Sequence, residues 1–122
     1  MKKKPTLTFG DALKRSRATA FGAMVKPVGA TCNLDCRYCY YLDKALQAPK
    51  AHPTDVMSDE LLERFIRQYI EGNEVPVVSF CWHGGEPLLA GLDFFRRAME
   101  LQQKYRGDKQ VENSLQTNGT LL

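Results

Sequence analysis

The sequence predicts an α/β fold built on a parallel sheet, with about three strands and two helices. Three observations support this. Short apolar runs that read as strands alternate with stretches of helical period. Each strand-like run gives way to a segment rich in Cys, Gly or Asn. Strands that alternate with helices are joined by right-handed crossovers and lie parallel. Ligand-binding groups in such sheets gather on the loops beyond the strands' carboxyl ends.

The first strand is expected around Val25–Lys26–Pro27–Val28, following Phe21–Gly22–Ala23–Met24 and ending between Pro27 and Gly29. Residues 30–57 then form a long connection holding three Cys and no sustained period, a length that points to function or disorder. Ser58 is a suitable N-cap for the first helix, Asp59 and Glu60 suit its positive end, and Gly72 is a suitable stop. Leu61, Leu62, Phe65, Ile66, Tyr69 and Ile70 give it one apolar face, and Glu63 and Arg67 stand four apart as a favourable pair.

Val75 to Trp82 reads as a buried strand closed by His83–Gly84–Gly85–Glu86–Pro87. A second helix is expected from about Leu92 to Tyr105, burying Phe94, Phe95, Ala98, Met99 and Leu101. Gln110 to Gln116 reads as the third strand and runs into Thr117–Asn118–Gly119. The unusual segments 30–41, 83–87 and 117–119 thus all fall at strand carboxyl ends, on one rim.

Composition narrows the functional classes. The chain has 122 residues, 43% apolar and 25% charged, enough for one small domain and too apolar for disorder. No run approaches the ~20 apolar residues of a membrane span, and no apolar region follows the basic start as in a secretory signal. Cytoplasm is the expected location, with no membrane partner. Net charge is +3, but residues 1–20 carry six basic residues against Asp11 alone. This stretch is expected to be a flexible basic leader. It lacks the aromatic interleave of a nucleic-acid surface, so no nucleic-acid partner is expected.

Cys32, Cys36 and Cys39 form C-x3-C-x2-C within eight residues. In a reduced compartment such spacing points to metal before disulfides. Structural zinc wants four protein ligands, commonly two spaced pairs, whereas His52 and His83 make no second pair. Three thiols with an open fourth position suit a [4Fe–4S] cluster with one accessible iron. Cys81 lies among apolar neighbours and reads as a small buried filler.

At these residues the chain resembles the radical S-adenosylmethionine (SAM) superfamily. Cys32-Asn-Leu-Asp-Cys36-Arg-Tyr-Cys39 matches its cysteine motif, and Gly84–Gly85–Glu86–Pro87 its second signature. The runs CNLDCRYCYY, WHGGEPLLAGLDFF and SLQTNGTLL resemble anaerobic sulfatase-maturating enzymes over residues 22–122. The resemblance implies the N-terminal portion of a partial (β/α)6 barrel, a TIM-like architecture, in residues 21–122. It also implies a [4Fe–4S] cluster on Cys32, Cys36 and Cys39 that delivers an electron to SAM and yields a 5′-deoxyadenosyl radical. Tyr38 would lie along the adenine, and Glu86 would accept from the SAM ammonium group. Gly84 and Gly85 would let backbone approach the ligand, Pro87 would stiffen the exit, and Tyr41 and His83 would line the site. Thr117 and Asn118 would contact SAM or substrate.

The implied reaction oxidises a Cys or Ser of a sulfatase to Cα-formylglycine, with an electron donor such as a flavodoxin or ferredoxin. The alternatives are another radical SAM peptide maturase or, from a different class, a small zinc-binding interaction module. Relatives continue into further strands, auxiliary clusters and a general base expected beyond residue 122, so no catalytic base is assigned and Asp35, Asp43 and Asp93 do not take its place. The expectation is a truncated core domain: three strands cannot close a barrel, leaving an open edge and a partly uncovered sheet face.

Overall fold

The β-branched and aromatic run Val77–Trp82 forms the central strand of the sheet, β2, between β1 (Ala23–Val25) and β3 (Gln110–Leu115). The computed structural model describes residues 6, 8–15, 20–40 and 55–122. Both pairings are parallel, with Val25 opposite Trp82 and Trp82 opposite Leu115. The helices are α1 (Phe9–Arg15), α2 (Asp59–Gly72) and α3 (Leu92–Tyr105), with a 3₁₀ turn at Pro87–Ala90. Among the described residues no helix is long and apolar enough to cross a membrane.

Alternation along β2 decides which face is covered. Val78, Phe80 and Trp82 point into the core with Val25, Leu62, Ile66, Ile70, Phe94, Ala98 and Leu101. Phe80 meets Tyr69 edge-on at 4.9 Å, and Trp82 meets Phe94 and Phe95 at 5.9 and 5.7 Å. Such pairs contribute about 0.5–1.5 kcal/mol each beyond burial. Val77, Ser79 and Cys81 take the opposite face, where Met24 is 57% exposed. Helices therefore cover one side of this strand, and Cys81, expected to be a small buried filler, is half-buried on the other.

The Ser58 side chain caps α2 by accepting from the Leu61 amide at 3.2 Å, as its sequence suggested. The buried stripe is Leu62, Ile66, Tyr69 and Ile70, whereas Leu61 is 50% exposed. One residue, about 100° round the helix, carries Leu61 past the edge of that stripe. In α3 the expected Met99 is 39% exposed, and the inward position goes to Gln102. Gln102 exchanges two 2.8 Å amide hydrogen bonds with Asn113, whose Oδ1 also accepts from the Trp82 indole at 2.9 Å. A buried amide is stable here because its partners are supplied.

Other departures have local causes. The first strand stops at Val25 because Pro27 lacks an amide hydrogen and opens a turn with Gly29 at φ 60°. Glu63 turns to α3 instead of Arg67, meeting Lys104 at 3.0 Å, Arg97 at 3.8 Å and the Tyr105 hydroxyl. Within the stretch expected to be a flexible leader, Phe9–Arg15 is helical. Its start is fixed by Thr8 and Asp11, each side chain accepting from the other's amide at 3.2 Å. Of the connection 30–57, residues 41–54 lie outside the described residues.

Candidate functional site: a cleft at the strand ends

The loops that follow the three strands meet at one rim. After β2, the His83 amide donates to Val25, Gly85 to Gly29 at 2.9 Å and Glu86 to Thr31 at 2.8 Å. Backbone is thus laid on backbone, and the two glycines are what allow it. A Cβ on Gly84, whose φ is +127°, would lie 2.5 Å from the Gly29 carbonyl oxygen. One on Gly85 would fall inside the contact radius of the Ala30 and Thr31 oxygens. The close approach is therefore to the segment leading into the cysteines, a role for both glycines additional to ligand contact.

The result is a cleft of about 290 Å³ lined by Cys32, Leu34, Cys36, Tyr38, Cys39, Tyr40, His83, Gly84, Gly85, Gln116, Thr117 and Asn118. That volume is close to the lower end for small-molecule sites. All three motif cysteines share it. Tyr38 stands at its mouth, 91% exposed, which leaves the ring face available. The His83 Nδ1 accepts from the Gly84 amide at 2.7 Å, so Nε2 is the ring's donor. Tyr41 lies outside the described residues.

Glu86 and Pro87 do not line the cleft. Pro87 is buried and opens the 3₁₀ turn, where a missing amide hydrogen costs nothing. Glu86 is fully buried, and its carboxyl oxygens accept from the Thr117 hydroxyl at 2.6 Å, the Asn118 amide at 2.9 Å and the Leu88 amide at 3.2 Å. In this structure Glu86 fastens the loop after β3, a role beside the ammonium contact that the resemblance implies. A buried carboxyl is tolerable only with such partners.

Sequence reasoning missed Gln116, Leu34, Tyr40 and Asn33. Gln116 was at hand as the first residue of the QTNG run, and its amide continues the β2–β3 ladder by donating to Trp82 at 2.9 Å. Asn33 bonds Thr120 at 2.9 Å and Asn118 at 3.0 Å, joining the cysteine loop to the β3 loop across the cleft. No local signal in the sequence announces such a pairing between residues 85 or more positions apart.

The donor set bears on what this cleft holds. A single zinc ion needs four donors converging on one point. Among the described residues no group of three His, Cys, Asp or Glu converges in that way. An iron–sulfur cluster puts each thiolate on a different iron, so its ligand sulfurs stand apart around a shared cleft instead of meeting at one point. The cysteines fit that requirement.

Comparison with known proteins follows the same residues. Residues 27–122 match the family model described as the radical SAM superfamily. The chain is 59% identical over 99 residues to a serine-type anaerobic sulfatase-maturating enzyme of Bacteroides thetaiotaomicron, covering 81% of this chain and 24% of that protein. It is 43% identical over 101 residues to a cysteine-type anaerobic sulfatase-maturating enzyme of Clostridium perfringens, covering 81% and 26%. The solved structure of native anSMEcpe with bound AdoMet and Kp18Cys peptide superposes with a TM-score of 0.71 at 40% identity, covering 83% of this chain and 26% of that one. The chain spans about a quarter of the length of the relatives it matches.

Proposed function

This chain belongs to the radical SAM superfamily, and on that premise we propose that it supplies the cofactor-binding part of an anaerobic sulfatase-maturating enzyme. Cys32, Cys36 and Cys39 would hold a [4Fe–4S] cluster, and the cleft beside them would take S-adenosylmethionine. The observation that carries the reading is the convergence of all three cysteines with His83, Gly84, Gly85, Thr117 and Asn118 on one cleft at the strand ends.

When bound, the cluster supplies a single electron to the sulfonium cofactor, the one-electron chemistry that side chains alone do not provide. The chain's own residues bind and orient. Tyr38, 91% exposed at the mouth, offers an aromatic face to the adenine. His83 and Thr117 line the cleft with polar side chains, while Leu34 and Tyr40 narrow access to water. Glu86 holds the loop that carries Thr117 and Asn118.

The substrate of this reading is a Ser or Cys of a sulfatase peptide, oxidised to Cα-formylglycine, and the electron donor is a small redox protein such as a flavodoxin or ferredoxin. Cytoplasm is the matching compartment, since the thiols must stay reduced to take iron. The test is anaerobic reconstitution of the protein followed by electron paramagnetic resonance of its reduced form, with and without SAM. A reduced-cluster signal that changes on adding SAM, and peptide mass spectra showing formylglycine from a sulfatase peptide, are expected. A folded protein that takes up zinc and no acid-labile sulfide would overturn the proposal.

A further inference from the structure

Two hydrogen-bond donors point at the sulfur of Cys32. One is local, the Leu34 amide at 3.4 Å. The other comes from 86 positions away: the Asn118 side-chain nitrogen, at 3.8 Å. The orientation of that amide is fixed by its neighbours. The Thr120 backbone N–H, which can only donate, meets the other end of the Asn118 side chain at 3.0 Å. That end must therefore be Oδ1, leaving Nδ2 with its two hydrogens toward Asn33 Oδ1 at 3.0 Å and Cys32 Sγ.

The position of Asn118 is held as firmly as its orientation. Its backbone N–H donates to the buried Glu86 at 2.9 Å. Thr120 Oγ1 donates to its Oδ1 at 2.8 Å and accepts from Asn33 Nδ2 at 2.9 Å, closing a ring of side chains over the cysteine loop. An amide clamped in this way needs no reorganisation when charge builds up on the sulfur beside it.

We infer that Asn118 is a positioning and tuning residue that donates to the Cys32 sulfur and raises the reduction potential of the iron–sulfur group this sulfur would ligate. Reduction adds an electron to an already anionic thiolate–iron unit. A donor aimed at a ligand sulfur stabilises the more negative, reduced state more than the oxidised one. The inference rests on the proposed cluster site, but it assigns Asn118 to a cluster ligand where the sequence suggested SAM or substrate.

The test uses the reconstituted protein in three forms: unmutated, Asn118→Leu and Asn118→Asp. Leu keeps the bulk and removes the donor without adding charge. Asp keeps the oxygen that Thr120 needs and removes the donor. Iron and sulfide content are measured first, then the midpoint potential by a redox titration followed by electron paramagnetic resonance with no SAM present. Both variants are expected to lower the potential. The expected shift for Leu is about tenfold in the reduction equilibrium, or about 59 mV for one electron, and Asp should go further because it adds negative charge. An unchanged potential in Asn118→Leu would overturn the inference, even if Asp shifts it. So would loss of the cluster from both variants, which would make Asn118 a requirement for seating the cysteine loop. No iron–sulfur signal in the unmutated protein would instead sink the cluster reading, and this inference with it.

Discussion

Thr117 Oγ1 donates to Oε1 of Glu86 across 2.6 Å, so the loop after β3 is fastened to a carboxyl buried at the end of β2. Glu86→Ala leaves the Thr117 hydroxyl and the Leu88 and Asn118 amides without that acceptor. The bonds are partly buried, and a fully buried donor left unsatisfied costs about 1–3 kcal/mol. A loss of on the order of 3 kcal/mol in urea unfolding is expected. Glu86→Gln, which keeps one carbonyl oxygen, should lose clearly less.

Gly85 tests the backbone approach. Gly85→Ala puts a methyl group into the Ala30 and Thr31 carbonyl oxygens, which are backbone and cannot swing aside. Overpacking of that kind costs about 1–3 kcal/mol and here should reach the upper end. Gly107→Ala meets strain at φ 59° but open space. Thermal unfolding should therefore show the larger loss at Gly85, with the cleft's ligand binding weakened there alone.

Leu62 and Leu61 stand side by side in sequence and apart in energy. Leu62 is fully buried and Leu61 is 50% exposed. Leu62→Ala should cost about 2–5 kcal/mol, and Leu61→Ala no more than about 0.5–1 kcal/mol. Equal losses in chemical denaturation would show that α2 is rotated from the packing described above.

Acid should loosen the contact between α2 and α3. The Tyr105 hydroxyl, then Lys104 at 3.0 Å, hold the Glu63 carboxyl below its ordinary value. A carboxyl lowered in the folded state contributes stability that is present above its unfolded value and is lost as pH falls through the folded one. Thermal midpoints should drop through and below the ordinary glutamate range. Glu63→Gln should flatten that part of the curve, modestly, because the pair is partly exposed.

Cysteine replacements divide the four thiols. Cys32→Ser, Cys36→Ser and Cys39→Ser should each abolish or sharply reduce iron and sulfide uptake. Cys81→Ser should leave it intact, since Cys81 sits on the open sheet face away from the cleft lining. Iron and sulfide assays on the four reconstituted variants check this directly.

Periodicity made α2, α3 and β2 legible, because each buries a face whose spacing is written locally, and β3 was legible from its place between α3 and the Thr117–Asn118–Gly119 turn. The Gly84–Gly85 and cysteine motifs marked the rim for the same reason. What stayed hidden depends on partners far along the chain. Glu86 reads as a ligand group, and its hold on Thr117 and Asn118 shows only once the loops are seen together. Gln102 reads as a surface residue until Asn113 is seen to satisfy its amide. Met99 and Leu61 were assigned to the core from type, yet the width of the buried stripe is set by the facing element. The helix at Phe9–Arg15 depended on one capping pair within a stretch whose charge drew attention first.

Lys109 has a consequence at the opposite rim. Its ammonium group reaches the carbonyls of Ile70 and Asn73, both at 2.6 Å, at the end of a helix whose last turn holds no cation of its own. β3 is thereby moored just before it begins, and Glu86 moors it just after it ends. Such a strand buries little and so has little side-chain reason to prefer one alignment. A slip by a single position would turn each side chain to the opposite side of the sheet, and would drag both moorings off their partners at once. The phase of the pleat, and with it the placing of Thr117 and Asn118 beside the cysteines, is set from the two ends of the strand.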